Sequence, residues 1–189
     1  MQWNKTCALL LVLSSQVYAA DSYTIDPNHS YVQYDISHFG FSQQSGKWFA
    51  NGSLEFDKNH PQNSKTNVTI KIADIDTGNP ELNKHLKSNL FFDVSKYPEA
   101  TFVSDKIEAK GNKISKLHGT LTLHGVSKPV ILNVKMNGMG INPVTNKETV
   151  GFSGQTQLKR SEFGINGFLP KIGDDVKLKI EVEAYKNAP

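Results

Sequence analysis

Apolar residues recur at every second position in eight separate stretches of this chain, and that alternation limits the fold more than any other feature. In the last stretch Val176, Leu178, Ile180, Val182 and Ala184 alternate with Lys177, Lys179, Glu181 and Glu183. The others run near 32–38, 48–56, 68–72, 101–110, 113–124, 130–136 and 150–160. Successive side chains of a strand point to opposite faces, so each stretch reads as a strand with one buried face. Gly111-Asn112 gives a two-residue hairpin between the fourth and fifth stretches. One segment departs from the pattern. Asn79-Pro80 is a helix start, and Leu82, Leu86 and Leu90 recur every four residues. A short helix is expected at about 80–90, and 137–149 reads as a long polar loop.

Eight strands with one apolar face can stack as two sheets or close into a barrel. Alternation does not separate the two, but short sequential connections favour an up-and-down barrel. The expectation is an all-β, eight-stranded antiparallel barrel with one short helix. Such a barrel is just wide enough to be filled by side chains or to hold one slender ligand. An outer-membrane barrel would turn an apolar face to lipid. Here the second face carries Lys47, Glu55, Lys71, Lys177 and Glu181, which suits water instead.

The chain of 189 residues suits one domain of this kind, preceded by an export signal. Lys5 precedes an apolar run from Cys7 to Leu13, and Val17-Tyr18-Ala19 offers a peptidase its small residues. Cleavage after Ala19 is expected, leaving a single domain over 20–189 and a periplasmic destination. The apolar run is far shorter than the ~20 residues of a membrane span. Cleavage removes Lys5 and the only cysteine, so the formal charge falls from +3 to +2 and no disulfide is available. Lys plus Arg number 21 against 18 Asp plus Glu, too balanced for a dedicated nucleic-acid binder.

The residues give little for catalysis. No Gly-x-Ser-x-Gly elbow, phosphate loop or dinucleotide fingerprint occurs. His118 and His124 stand about 20 Å apart on a straight strand and cannot share an ion. The other histidines, His29, His38, His60 and His85, have no acidic cluster beside them, so neither metal nor cofactor is expected. Ala50, Gly52, Gly119, Gly154 and Ala184 fall on the apolar face, where small residues leave room along an axis or mark bends. Arg160, the only arginine, falls in the apolar register and must find an acid, a carbonyl or a polar ligand group.

An ordered set of motifs then resembles a known family, the YceI-like periplasmic proteins. It begins with Tyr23-Thr24-Ile25-Asp26, His29-Ser30 and Ile36-Ser37-His38-Phe39-Gly40. Its most distinctive block is Ile75-Asp76-Thr77-Gly78-Asn79, His85-Leu86 and Phe91-Phe92-Asp93, continued by Tyr97-Pro98, Phe102 and Ser104. Gly119 through Val126, Lys128-Pro129-Val130, Arg160, Phe163-Gly164-Ile165, Gly173-Asp174 and Val176 complete it. The resemblance spans roughly 23–184. It departs at Leu82-Asn83, where the family usually carries Arg-Asp. It implies a lipocalin-like barrel whose elongated apolar interior takes a long-chain amphiphile, typically a polyisoprenoid such as a quinone or its precursor. It implies binding or carriage, not catalysis.

Register and resemblance together nominate ligand contacts. The tail contacts are Val32, Tyr34, Ile36, Trp48, Phe56, Ile70, Phe92, Phe102, Leu121, Leu132, Phe152 and Ile180. His38 and Arg160, each at the end of an apolar run, are candidates for the polar head. Both residues also suit a structural role, tying strand ends to adjoining loops. Two other functions stay open at this point. One is a hydrolase or isomerase acting on such a lipid through His38 or His85; the other is a filled barrel that binds a protein partner. A homodimer is also an open option.

Overall fold

The computed structural model describes residues 20–188 apart from Asn112, so the expected export signal and its cleavage after Ala19 lie outside the described residues. Ten strands and one α-helix follow one another: β1 (Asp21–Ile25), β2 (Tyr31–His38), β3 (Ser42–Phe49), β4 (Asn51–Phe56), β5 (Lys65–Lys71), α1 (Pro80–Lys87), β6 (Glu99–Lys110), β7 (Lys113–Leu123), β8 (Val126–Ile141), β9 (Glu148–Lys159) and β10 (Ile172–Lys186). All pairings are antiparallel, and β1 meets both β4 and β10, which closes the sheet. The ten strands occupy eight places. β1 and β2 share one, both laid along β10; β3 and β4 share the next, laid along β2 and β1. The barrel is therefore eight-stranded, closed and up-and-down, as the alternation and the short connections led one to expect.

The β1–β2 break is held by a side chain. Ser30 is fully buried, and its hydroxyl donates to the Glu183 carbonyl at 3.1 Å and accepts from the Glu183 N–H at 3.0 Å. A hydroxyl thus replaces the missing rung of the β10 ladder, which leaves no orphaned backbone group. Gly52 lets β4 lie close against β5, its antiparallel neighbour in the sheet. Its φ is +152°, and a Cβ there would stand 2.0 Å from the Asn67 carbonyl oxygen.

Three expectations need correction. β1 has no counterpart among the eight stretches, because five residues carry too few alternations to be noticed. The segment 137–149 is mostly strand: β8 runs to Ile141 and β9 begins at Glu148, leaving only 142–147 as loop. Its polarity reflects exposed strand faces, not a loop. His124 lies beyond β7, in a turn with φ of +52°, so it does not share a straight strand with His118.

The two halves of the barrel differ in filling. At one end Tyr23, Ile25, Leu54, Phe56, Val150 and Ala184 form a solid plug, with Phe152 packed against it. Rings lock it: Tyr23 to Phe56 at 6.2 Å and Phe56 to Phe152 at 5.7 Å, both edge to face. At the other end β3 does not pair with β5. A single bridge, Lys47 to Asp76, ties β3 to the segment before α1, and the helix lies across the opening.

Candidate functional site

Between the plug and α1 the barrel is hollow. The cavity measures about 610 Å³, within the usual range of about 300–1,000 Å³ for ligand pockets. Its walls are almost wholly apolar and come from β2, β3, β5–β10, α1 and the loop before β10. Many inward side chains, such as Leu132, Leu178 and Ile180, are only half-buried because they border open space and not a neighbouring side chain.

Aromatic rings fix one wall. Trp48 donates its indole N–H to the Ile72 carbonyl at 3.1 Å, and packs against Tyr34 at a tilt, centroids 5.5 Å apart, and edge to face with Phe92 at 5.4 Å. With its one polar atom satisfied, the indole presents only carbon to the cavity. Burial pushes the Tyr34 phenol up to about 12, so it is a neutral hydroxyl at physiological pH.

Helix α1 supplies the lid. Asn79 caps it, its side chain accepting from the Glu81 and Leu82 N–H groups at 3.1 and 3.3 Å, and Pro80 stands at the first helical position. Leu82 and Leu86 face the cavity, while Leu90 lies past the helix end and is 44% exposed. The four-residue spacing therefore holds for two of the three leucines. At the departure from the family pattern, Leu82 adds apolar lining. Asn83 accepts from the Thr77 N–H at 2.9 Å and hydroxyl at 2.7 Å, so it pins the helix to the preceding loop.

Of the nominated contacts, Val32, Tyr34, Ile36, His38, Trp48, Ile70, Phe92, Phe102, Leu121, Leu132, Arg160 and Ile180 border the cavity. Phe56 and Phe152 do not; both belong to the plug, and their nomination is corrected. Of the small residues, Ala50 borders the cavity, but Gly119 leaves no room: a Cβ there would stand 2.5 Å from the Phe102 ring, which occupies the space.

Arg160 borders the cavity with its donors turned elsewhere. It is 6% exposed and donates to four main-chain carbonyls: Gly173 at 2.8 Å, Ile165 at 2.8 Å, Gly167 at 2.8 Å and Ile172 at 3.0 Å. Four of its five N–H donors are thereby committed, two to the loop before β10 and two to the first residues of β10. This is the geometry of the structural alternative, a side chain that ties a strand end to the adjoining loop. Asp174 supports the same knot through the Ser161 N–H and hydroxyl; burial raises its carboxyl, but these bonds outweigh burial and hold it below its ordinary value.

The mouth lies where lining residues reach solvent: Phe39 on the β2–β3 turn, Asn79 and His85 at α1, and Phe168 in the loop before β10. His38 stands just inside it, its ring edge-on to Phe39 at 4.3 Å. Among the described residues no group of three or more His, Cys, Asp or Glu side chains is placed to hold a metal. Sequence reasoning missed Leu86, Phe91, Leu158, Phe168 and Leu178 as lining. Leu86 and Leu178 had a readable period; Phe168 sits in a loop, where no period exists.

Comparison with known proteins fits this geometry. The model of the YceI-like domain matches residues 23–184. The chain belongs to the YceI-like family. A UPF0312 protein of Pseudomonas syringae pv. tomato is 41% identical over 162 residues, covering 83% of this chain and 82% of the relative. Among solved structures, Burkholderia cenocepacia BcnA is 26% identical and superposes with a TM-score of 0.74, over 84% of this chain and 98% of that one. A polyisoprenoid binding domain from Saccharophagus degradans superposes with a TM-score of 0.64 over 87% and 98% of the two chains. At 13% identity that likeness is one of fold.

Proposed function

We propose that this protein binds and carries a long-chain polyisoprenoid, a quinone or a quinone precursor, in the periplasm after its export signal is removed behind Ala19. The hollow apolar half of the barrel carries the reading. Each methylene moved from water into it contributes about 0.8 kcal/mol, before the losses of ordering and association. A branched apolar chain has no hydrogen bonds to make, and walls that offer almost none suit it. The Saccharophagus domain, described as polyisoprenoid binding, shares the architecture. The tail lies against Val32, Ile36, Trp48, Phe102 and Leu132. The head group lies toward the mouth, within reach of His38 and the Tyr34 hydroxyl. Arg160 takes no part in head-group binding.

Binding without turnover is the function proposed, since the polar groups of the wall are sparse and His38 packs against an aromatic ring. The test is mass spectrometry of organic extracts from the purified protein. A polyisoprenoid recovered near one per chain is the expected result. A protein that arrives empty, and stays empty when offered quinones of several tail lengths, overturns the proposal.

A further inference from the structure

Around the cavity mouth the surface is apolar in an unusual way. Phe41 is 91% exposed at the tip of the β2–β3 turn, Phe39 is 39% exposed beside it, Phe168 50% and Leu90 44%. These residues form one rim. The Phe39 N–H donates to the Lys171 carbonyl, and Ile172, opposite His38 in the β10–β2 register, donates its N–H to Phe168. Gly167 packs so closely on Leu90 that a Cβ would meet the Leu90 carbonyl oxygen at 2.7 Å. Phe39 and Phe168 both hold left-handed backbone, at φ of +53° and +57°. Bulky residues avoid that region, and strain of this kind gathers at functional sites. Exposed apolar patches with polar surroundings mark docking surfaces.

The charge around the rim points to the occupant. Its segments 39–44, 79–90 and 164–171 hold Lys84, Lys87 and Lys171 against the single carboxylate of Glu81. Four carboxylates flank these segments, and each has a partner other than the three lysines: Asp76 accepts from the Gly78 N–H, Asp93 from the Ser95 hydroxyl and Asp174 from Ser161, while Glu162 stands 4.0 Å from Lys128. Aromatic side chains beside unopposed lysines suit a bilayer surface that carries anionic head groups.

We infer that the rim formed by Phe39, Phe41, Leu90 and Phe168 docks the barrel, mouth down, on an anionic lipid bilayer. Phe41 enters the acyl boundary and the three lysines meet lipid phosphates. The docking stands on the rim itself; that it lets an isoprenoid pass between bilayer and cavity rests on the function proposed above. An apolar chain leaving a bilayer through this mouth meets Phe39 and Phe168 first and never crosses open water.

The test is flotation with two kinds of vesicle, phosphatidylcholine alone and phosphatidylcholine mixed with phosphatidylglycerol. The exported protein and its variants share one N-terminus, so differences between them read the rim. Wild type floats with the mixed vesicles, and high salt weakens it. Phe41→Ser lowers partition about tenfold, the order expected for one aromatic side chain. Charge reversal at Lys84, Lys87 and Lys171 removes the preference for phosphatidylglycerol. Val144→Ser, at an equally bare residue on the β8–β9 loop at the plug end, leaves flotation unchanged. Wild type that stays with neither vesicle overturns the docking, as does equal loss in Phe41→Ser and Val144→Ser. A concentration-dependent dimer that dissociates in Phe41→Ser, with no flotation, assigns the rim to a second copy and also overturns it. Flotation by a protein that holds no isoprenoid upholds the docking and removes only the carrier reading. An isoprenoid-loaded protein that never floats does the reverse.

Discussion

Arg160 shows how a buried charge can be satisfied by main-chain oxygens alone. Its guanidinium is surrounded by carbonyl oxygens of Ile165, Gly167, Ile172 and Gly173, which fold the loop before β10 around it. Arg160→Met keeps the stem and removes every donor. Each buried carbonyl left without a partner costs about 1–3 kcal/mol, so the variant should lose at least about 3 kcal/mol of stability. The loss should be the same with and without lipid, as read by denaturant midpoints. Unchanged stability with faster lipid release would return Arg160 to the head group. The sequence placed this residue at the correct end of the barrel, because its register is that of Val150 to Leu158. It did not reveal the partners, since main-chain carbonyls leave no mark in side-chain identity.

Strands were legible because their period is local, and breaks between them were not. The alternation through Trp48 and Phe56 runs on across Ala50, although the structure divides it into β3 and β4, which pair with different halves of the neighbouring place. Gly52 reads as a small inward residue; in the structure it permits the close approach of the β4 and β5 backbones. Gly52→Ala should cost about 2–3 kcal/mol, because the Asn67 carbonyl is backbone and cannot step aside. Gly140→Ala on β8 provides the contrast, with no atom within 4 Å of a new Cβ. There the smaller freedom of the unfolded chain should stabilise by about 0.4–1 kcal/mol. Thermal unfolding of both variants checks the pair. Equal effects would mean that the β4–β5 contact relaxes and that Gly52 is not required for it.

Over the whole molecule, the closed plug and the hollow cavity lie at opposite ends of the barrel. Period-two patterning separates inside from outside but repeats identically along the barrel axis, so depth was invisible; Phe56 and Phe152 share a register with true lining residues and yet fill the plug. The division can be tested by adding bulk at each end. Phe152→Trp overpacks a closed cluster and should cost about 1–3 kcal/mol, with lipid content little changed. Val32→Phe puts a ring into open space bordered by apolar groups, where nothing must move aside. Its lipid-free melting temperature should equal or exceed that of wild type. A ligand present at about a hundred times its dissociation constant stabilises by about 2.7 kcal/mol, and this increment should shrink toward zero as the ring takes the tail's place. Melting curves with and without bound lipid, together with native mass spectrometry for occupancy, read both quantities in one sample. If Val32→Phe lowers stability and keeps its lipid while Phe152→Trp does the opposite, the ligand lies at the plug end and the division is reversed.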